Sequence, residues 1–186
     1  NTTVQTTGTV TFKTNTASTS VGFSGGAGTL QITQAMMDTV NAPTVTIGST
    51  TGTGLLTTDT FTWESTLSTL NLESGGAAGA VTIGGTVTQS TVANANLNLY
   101  AGSDIIDNAA ITASGGDKLN VYMDSNYADA NNGYVQVNAN ITTNGGNLTI
   151  GGGSAAITAG SGYAYDNGDG NSLQAGVLIN DGIAIN

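Results

Sequence analysis

Four short segments of this chain spell nearly the same strand: "LNLES" at 70–74, "LNLYA" at 97–101, "LNVYM" at 119–123 and "NLTIG" at 147–151. A second set follows the first in the same order: "VTIGGTV" at 81–87, "IIDNAAI" at 105–111, "VQVNANI" at 135–141 and "LINDGIAI" at 178–185. Two interleaved strand families recurring in fixed order mean one rung repeated along an axis, which is a solenoid. The expectation is a single all-β domain over residues 1–186, a parallel β-solenoid with rungs of roughly 22–30 residues.

The period-2 rule places Leu70 and Leu72, Leu97 and Leu99, Leu119 and Val121, and Leu148 and Ile150 on one inward face. Successive rungs then start 27, 22 and 29 residues apart. In the second family Val87, Ile111, Ile141 and Ile183 take the equivalent inward place, at separations of 24, 30 and 42. The uneven lengths are assigned to polar insertions at corners, "DSNYADANNG" at 124–133 and "GSGYAYDNGDGN" at 160–171. Outward positions match as well: Asn71, Asn98 and Asn120 in one column, Glu73, Tyr100 and Tyr122 in the next, and Asn108, Asn138 and Asn180 in the second family. A β-sandwich shares the strand spacing but has no reason to repeat its outward residues in order.

Residues 1–29 differ, alternating Thr with apolar residues in two or three strands broken at Gly25-Gly26. Gln34 to Thr39, with Thr33 as N-cap, is expected to form one helical turn that packs Met36, Met37 or Val40 over an open core. Pro43, the single proline, ends it. Phe12, Phe23, Phe61 and Trp63 are expected in the core or at an end cap.

Composition narrows the function classes. Lys13 and Lys118 are the only basic residues, against twelve acidic ones and a formal net charge of −10. Nucleic acid is excluded as a partner, because phosphate binding needs a basic surface, and an anionic membrane surface is disfavoured for the same reason. No apolar run reaches the ~18 residues of a membrane helix, so membrane insertion is not expected. Charged residues make up 8% of the chain, where about 25% is ordinary, and Thr, Asn, Ser and Gly supply the polar surface. Such side chains can stack above identical neighbours without like-charge repulsion. Without Cys there is no disulfide, thiolate or Cys-based metal site. The chain begins at Asn1 with neither a basic n-region nor an apolar h-region, and a processed mature chain or a segment of a longer protein is expected.

The strings "LQITQAMMDTVNAPTVTIGS", "LNLYAGSDIIDNAAITASGGDKLNV" and "VQVNANITTNGGNLTIGGG" resemble the filamentous haemagglutinin-like large exoproteins of Gram-negative bacteria, secreted by a two-partner pathway. The resemblance covers about residues 30–151. It implies a right-handed parallel β-helix, an extracellular or cell-surface location, and a role in fibres that serve adhesion, biofilm cohesion or toxin display. The Asn-Pro motifs of that family's secretion module are missing, so the chain reads as a shaft segment.

Few constellations could carry chemistry. "DNGDGN" gathers Asp166, Asn167, Asp169 and Asn171 as a calcium loop would, although the spacing fails the EF-hand pattern, and a polar corner is the plainer reading. Asp124, Asn126, Asp129 and Asn131 form a second calcium candidate. Asp104 and Asp107 sit three apart at a corner, but a polysaccharide-cleaving β-helix enzyme needs a cationic group or strong base, and Arg and His are absent. Nucleophilic triads fail for the same want of a base. Tyr100 and Tyr122 are expected to stack as a ladder, while Tyr127, Tyr134, Tyr163 and Tyr165, in or beside the long loops, are the candidates for contact with a glycan or a host or matrix surface. The leading expectation is a non-enzymatic, cofactor-free structural or adhesive segment that self-associates end to end or continues into neighbouring repeats. A glycan- or calcium-binding module is the alternative, and a polysaccharide-active enzyme the third.

Overall fold

The computed structural model describes residues 3–63, 66–89, 93–130, 133–158, 161–162, 164 and 176–186. Every named strand pairs in parallel with its neighbours, in one short pair and three long sheets numbered as each turn meets them: Thr69–Ser74 and Ala95–Ala101 lie in the first, Val81–Ile83 and Ile105–Asp107 in the second, Val87–Gln89 and Ile111–Ala113 in the third. The protein is a β-solenoid. Its third sheet contains four strands, which defines four complete turns, with a partial turn at either end.

Each turn holds three strands, not two. The segments grouped as one second family fold into two short strands around a corner, as in Val81–Ile83 and Val87–Gln89, or Ile105–Asp107 and Ile111–Ala113, with the last segment reduced to Val177–Ile179 and a bridge at Ile185. The corner residues between them, such as Gly84 to Thr86, are too short to be visible as loops in the sequence. Within the strands, burial alternates with a period of two, as the pleat demands.

Stacking builds apolar columns through the interior. Val45, Leu70, Leu97, Val121 and Leu148 stack in register, and so do Ile47, Leu72, Leu99, Met123 and Ile150. Phe61, Val87, Ile111 and Ile141 form another column from the third sheet. Most of these side chains are fully buried. Phe23 and Phe61 meet with ring centroids 4.6 Å apart near the base of the core, and Trp63 is buried beside them with its indole N–H donating to the Leu67 carbonyl. Phe12 is only partly buried.

Two expected alignments move. Val121, not Leu119, stacks on Leu97, while Leu119 sits on Ala95. The repeats are therefore 27, 24 and 27 residues long. The cause is the corner before the strand: Gln89 pairs with Ala113 and Ala95 with Leu119, so both corners span the same number of residues and carry the register through. A slip of two preserves the inward face, so the hydrophobic pattern could not expose it. At the other end Ile185, not Ile183, bridges to Ile141. The expected insertion at 124–133 also begins later, because Asp124 and Ser125 belong to the strand Leu119–Ser125.

The N-terminal end folds back on itself. In the second sheet Leu30–Ile32 lies outside Val21–Phe23, which in turn pairs with Leu56–Thr58. This approach requires bare backbone: a Cβ on Gly28 would stand 2.1 Å from the Gly22 nitrogen. The expected helical turn is present at Gln34–Met37, with Thr33 Oγ1 accepting from the Met36 N–H. Met37 and Val40 are buried, whereas Met36 is exposed. Gln34 closes the lower edge of the third sheet: its amide nitrogen donates to the Thr62 carbonyl and its amide oxygen accepts from the Thr62 N–H, both at 3.2 Å. The side chain there replaces a missing strand.

Truncating a central column should be costly. Leu99→Ala is expected to lower stability by about 2–5 kcal/mol in urea unfolding, because a rigid stack cannot collapse around the hole.

Candidate interaction surface

The outer face of the first sheet carries two ordered polar columns. Thr46, Asn71 and Asn98 stack in one, with the Asn71 side-chain NH2 donating to Thr46 Oγ1 at 3.1 Å and that of Asn98 to Asn71 Oδ1 at 2.8 Å. Thr69, Asn96 and Asn120 stack in the other, with Asn96 donating to Thr69 Oγ1 at 3.3 Å and Asn120 to Asn96 Oδ1 at 3.0 Å. The Asn147 N–H continues that series to Asn120 Oδ1 at 2.9 Å. A third ladder stands at the corner after the second sheet, where Asn138 donates to Asn108 Oδ1 at 2.7 Å and Asn180 donates to Asn138 Oδ1. The third sheet adds an in-register column of Thr62, Thr88, Thr112 and Thr142. The matching of Asn108, Asn138 and Asn180 agrees with the sequence reading. Asn120 does not: it stacks on Asn96, and Tyr122 takes the place beside Asn98.

That shift reshapes the aromatic surface. Tyr100 pairs with Glu73 below and Asp124 above, so Tyr100 and Tyr122 are diagonal neighbours rather than a straight ladder. Their rings lie 5.8 Å apart and tilted by 50°. Tyr127 joins them edge-on to Tyr100, at 5.4 Å and 69°. It rests on Gly75, where an added Cβ would stand 2.9 Å from Tyr127 Cδ1. Three rings at such angles form a packed cluster, not the flat platform on which a sugar ring stacks.

Two carboxylates flank the cluster. Asp124 is 4% exposed; its Oδ2 accepts from the Tyr122 hydroxyl at 3.3 Å, and its Oδ1 is buried without a hydrogen-bond partner. Burial pushes the Asp124 carboxyl up to about 6, while the Tyr122 hydrogen bond pulls the other way. Burial also raises Glu73, opposed by the Thr50 backbone. The Tyr122 phenol is pushed up to about 12, first by burial and then by the Asp124 charge.

The Tyr134 backbone N–H donates to Asp104 Oδ1 at 3.2 Å. Tyr163, Tyr165, Asp166, Asn167, Asp169, Asn171 and Asn131 lie outside the described residues. Of the second calcium candidate, Asn126 is buried, and Asp129 Oδ2 accepts from the Ser154 hydroxyl at 3.1 Å. Among the described residues no three acidic side chains converge as metal ligands. Asp104 and Asp107 do not share a site: Asp104 is on the surface, whereas Asp107 points into the core and is 0% exposed.

The chain matches no family model, no curated protein and no solved structure.

Its surface presents amide and hydroxyl ladders beside an aromatic and carboxylate cluster. Asn98→Ala is expected to lower stability by about 0.5–1.5 kcal/mol, the worth of one ladder bond, in urea unfolding. Asp124 gives a pH signature. Its folded value of about 6 exceeds the ordinary 3.8, so its stabilising contribution is complete below about 4 and is lost as pH rises through about 6. Asp124→Asn is expected to flatten that part of the pH–stability curve measured by thermal unfolding.

Proposed function

We propose that this chain is a non-enzymatic shaft segment of an extracellular bacterial surface fibre or exoprotein, of the adhesive kind that the sequence resembles. Four turns stacked in register, with apolar columns inside and amide ladders outside, support a stiff rod. Low charge and the lack of Arg and His support a passive role over a catalytic one. Only two lysines offer sites to a trypsin-like protease. That scarcity suits display outside the cell.

The observation that carries the reading is the open rung at the C-terminal end. At the N-terminal end the fold-back strand lies on the edge of the second sheet and the Gln34–Met37 turn on the edge of the third, while Val4 and Met36 are 48% and 40% exposed. At the other end Val177, Ile179 and Ile185 continue the interior columns yet are 37%, 44% and 39% exposed. Among the described residues nothing stacks on them. A further rung placed there would bury all three and pair their open strand edges. The C-terminal face is accordingly the growing face, occupied by neighbouring repeats of a longer chain or, in the isolated chain, by a second copy.

Sedimentation velocity over a wide concentration range tests this. Association that disappears in a Val177→Asp, Ile179→Asp double variant, with unchanged circular dichroism, is the expected result. A wild-type chain that stays monomeric at the highest concentration would overturn it. Trypsin is expected to leave the folded chain uncut at Lys118, whose carbonyl accepts from the Ala95 N–H at 2.9 Å, when digestion is followed by intact mass.

A further inference from the structure

One inward column contains a carboxyl group. Thr58, Ile83, Asp107, Val137 and Ile179 stack in register at the end of the second sheet, and Asp107 is held between Ile83 and Val137. It is 0% exposed, and neither carboxyl oxygen has a hydrogen-bond partner. The Ala109 backbone N–H acts on it from outside good hydrogen-bond geometry. A charge in that place would cost several kcal/mol without compensation.

Among the described residues no charged group nearby supplies that compensation. The strands above and below, Val81–Ile83 and Val135–Val137, contain no titratable residue, and neither does Ile111–Ala113 beyond the corner. Of the strands that pack against it across the interior, Ala95–Ala101 contributes only Tyr100 and Leu119–Ser125 only Tyr122 and Asp124, all on the outer face. Asp104, on the same turn, is at the surface against Tyr134. No basic group faces Asp107.

The adjoining corner is where the carboxyl would leave. Asn108 anchors it, its N–H donating to the Ile83 carbonyl at 2.9 Å and its side-chain oxygen accepting from Asn138 at 2.7 Å. The Asp107 carbonyl itself accepts from the Asn138 N–H at 2.7 Å. Turning Asp107 outward strains all three bonds.

We propose that Asp107 is a proton-operated latch on the third turn: protonated, it packs as a neutral side chain and the Asn108–Asn138 ladder stays closed; deprotonated, it leaves the core and opens that corner. Burial supports the direction, raising the carboxyl from 3.8 to about 7. A raised folded value means that the stabilisation is complete below about 4 and is lost as pH rises through about 7.

The test is hydrogen exchange and urea unfolding of the purified chain between pH 4.5 and 8, for the wild type, Asp107→Asn and Asp107→Val. Relative to Asp107→Asn, the wild-type folding constant is expected to fall roughly a hundredfold across that range. After correction for the intrinsic pH dependence of exchange, the amides of Asn108 and Asn138 are expected to lose protection in the wild type before those of Leu97 and Leu99. Asp107→Val, which continues the column of Ile83 and Val137, is expected to lose the Asp107 share of the pH slope, to keep the share that Asp124 contributes near pH 6, and to be the most stable of the three at pH 8. If Asp107→Asn fails to fold, the Val variant and the wild-type exchange pattern still decide. Equal pH slopes in wild type and variants, or uniform loss of protection over all turns, would overturn the latch.

Discussion

The solenoid depends on one requirement: whatever occupies a position in one turn lies about 4.8 Å from its counterpart in the next. Nothing can be placed in such a structure without regard to its column. Leucine above leucine gains close packing, and asparagine above asparagine gains a hydrogen bond, but a charge above a like charge gains nothing. The low charge content follows from this constraint, as does the division into apolar interior columns and amide-bearing exterior ones. Corners escape the rule, and the uneven spacing of the turns arises there.

Much of this was legible in the chain. The apolar alternation of Leu70 and Leu72 with Leu97 and Leu99 gave the stacking of the central turns, and Thr33 announced the helical turn. Register was harder to read. "LNVYM" shares three of its five letters with "LNLYA", but the equal corners before Ala95 and Leu119 hold the strands two residues away from that match. A two-residue slip is invisible to periodicity and is decided by corner length, and Ala95, small yet fully buried, gave little sign that it filled an inward place. Likewise, three-residue strands are too short to show a period, so the second and third sheets merged into one family in the sequence.

The candidate surface was legible in part. The asparagine column at 108, 138 and 180 could be read directly, whereas the aromatic cluster inherited the register error. Asp107 was readable in principle: it lies two residues after Ile105, in step with Ile83 and Val137, and so has inward parity. The chemical expectation that an aspartate at a corner faces water concealed it. Period-2 arithmetic and residue chemistry conflicted there, and the backbone followed the arithmetic.

The amide ladders add a lengthwise sense to the rod. In all three columns every side-chain bond between turns runs the same way, the NH2 of the later turn donating to the oxygen of the earlier one. Reversing Asn138 alone would set acceptor against acceptor toward Asn108 and donor against donor toward Asn180, so an amide between two others is held in its sense by both. The exterior is therefore written like a one-way street, and a neighbour lying alongside would meet different faces depending on whether it ran with the arrow or against it.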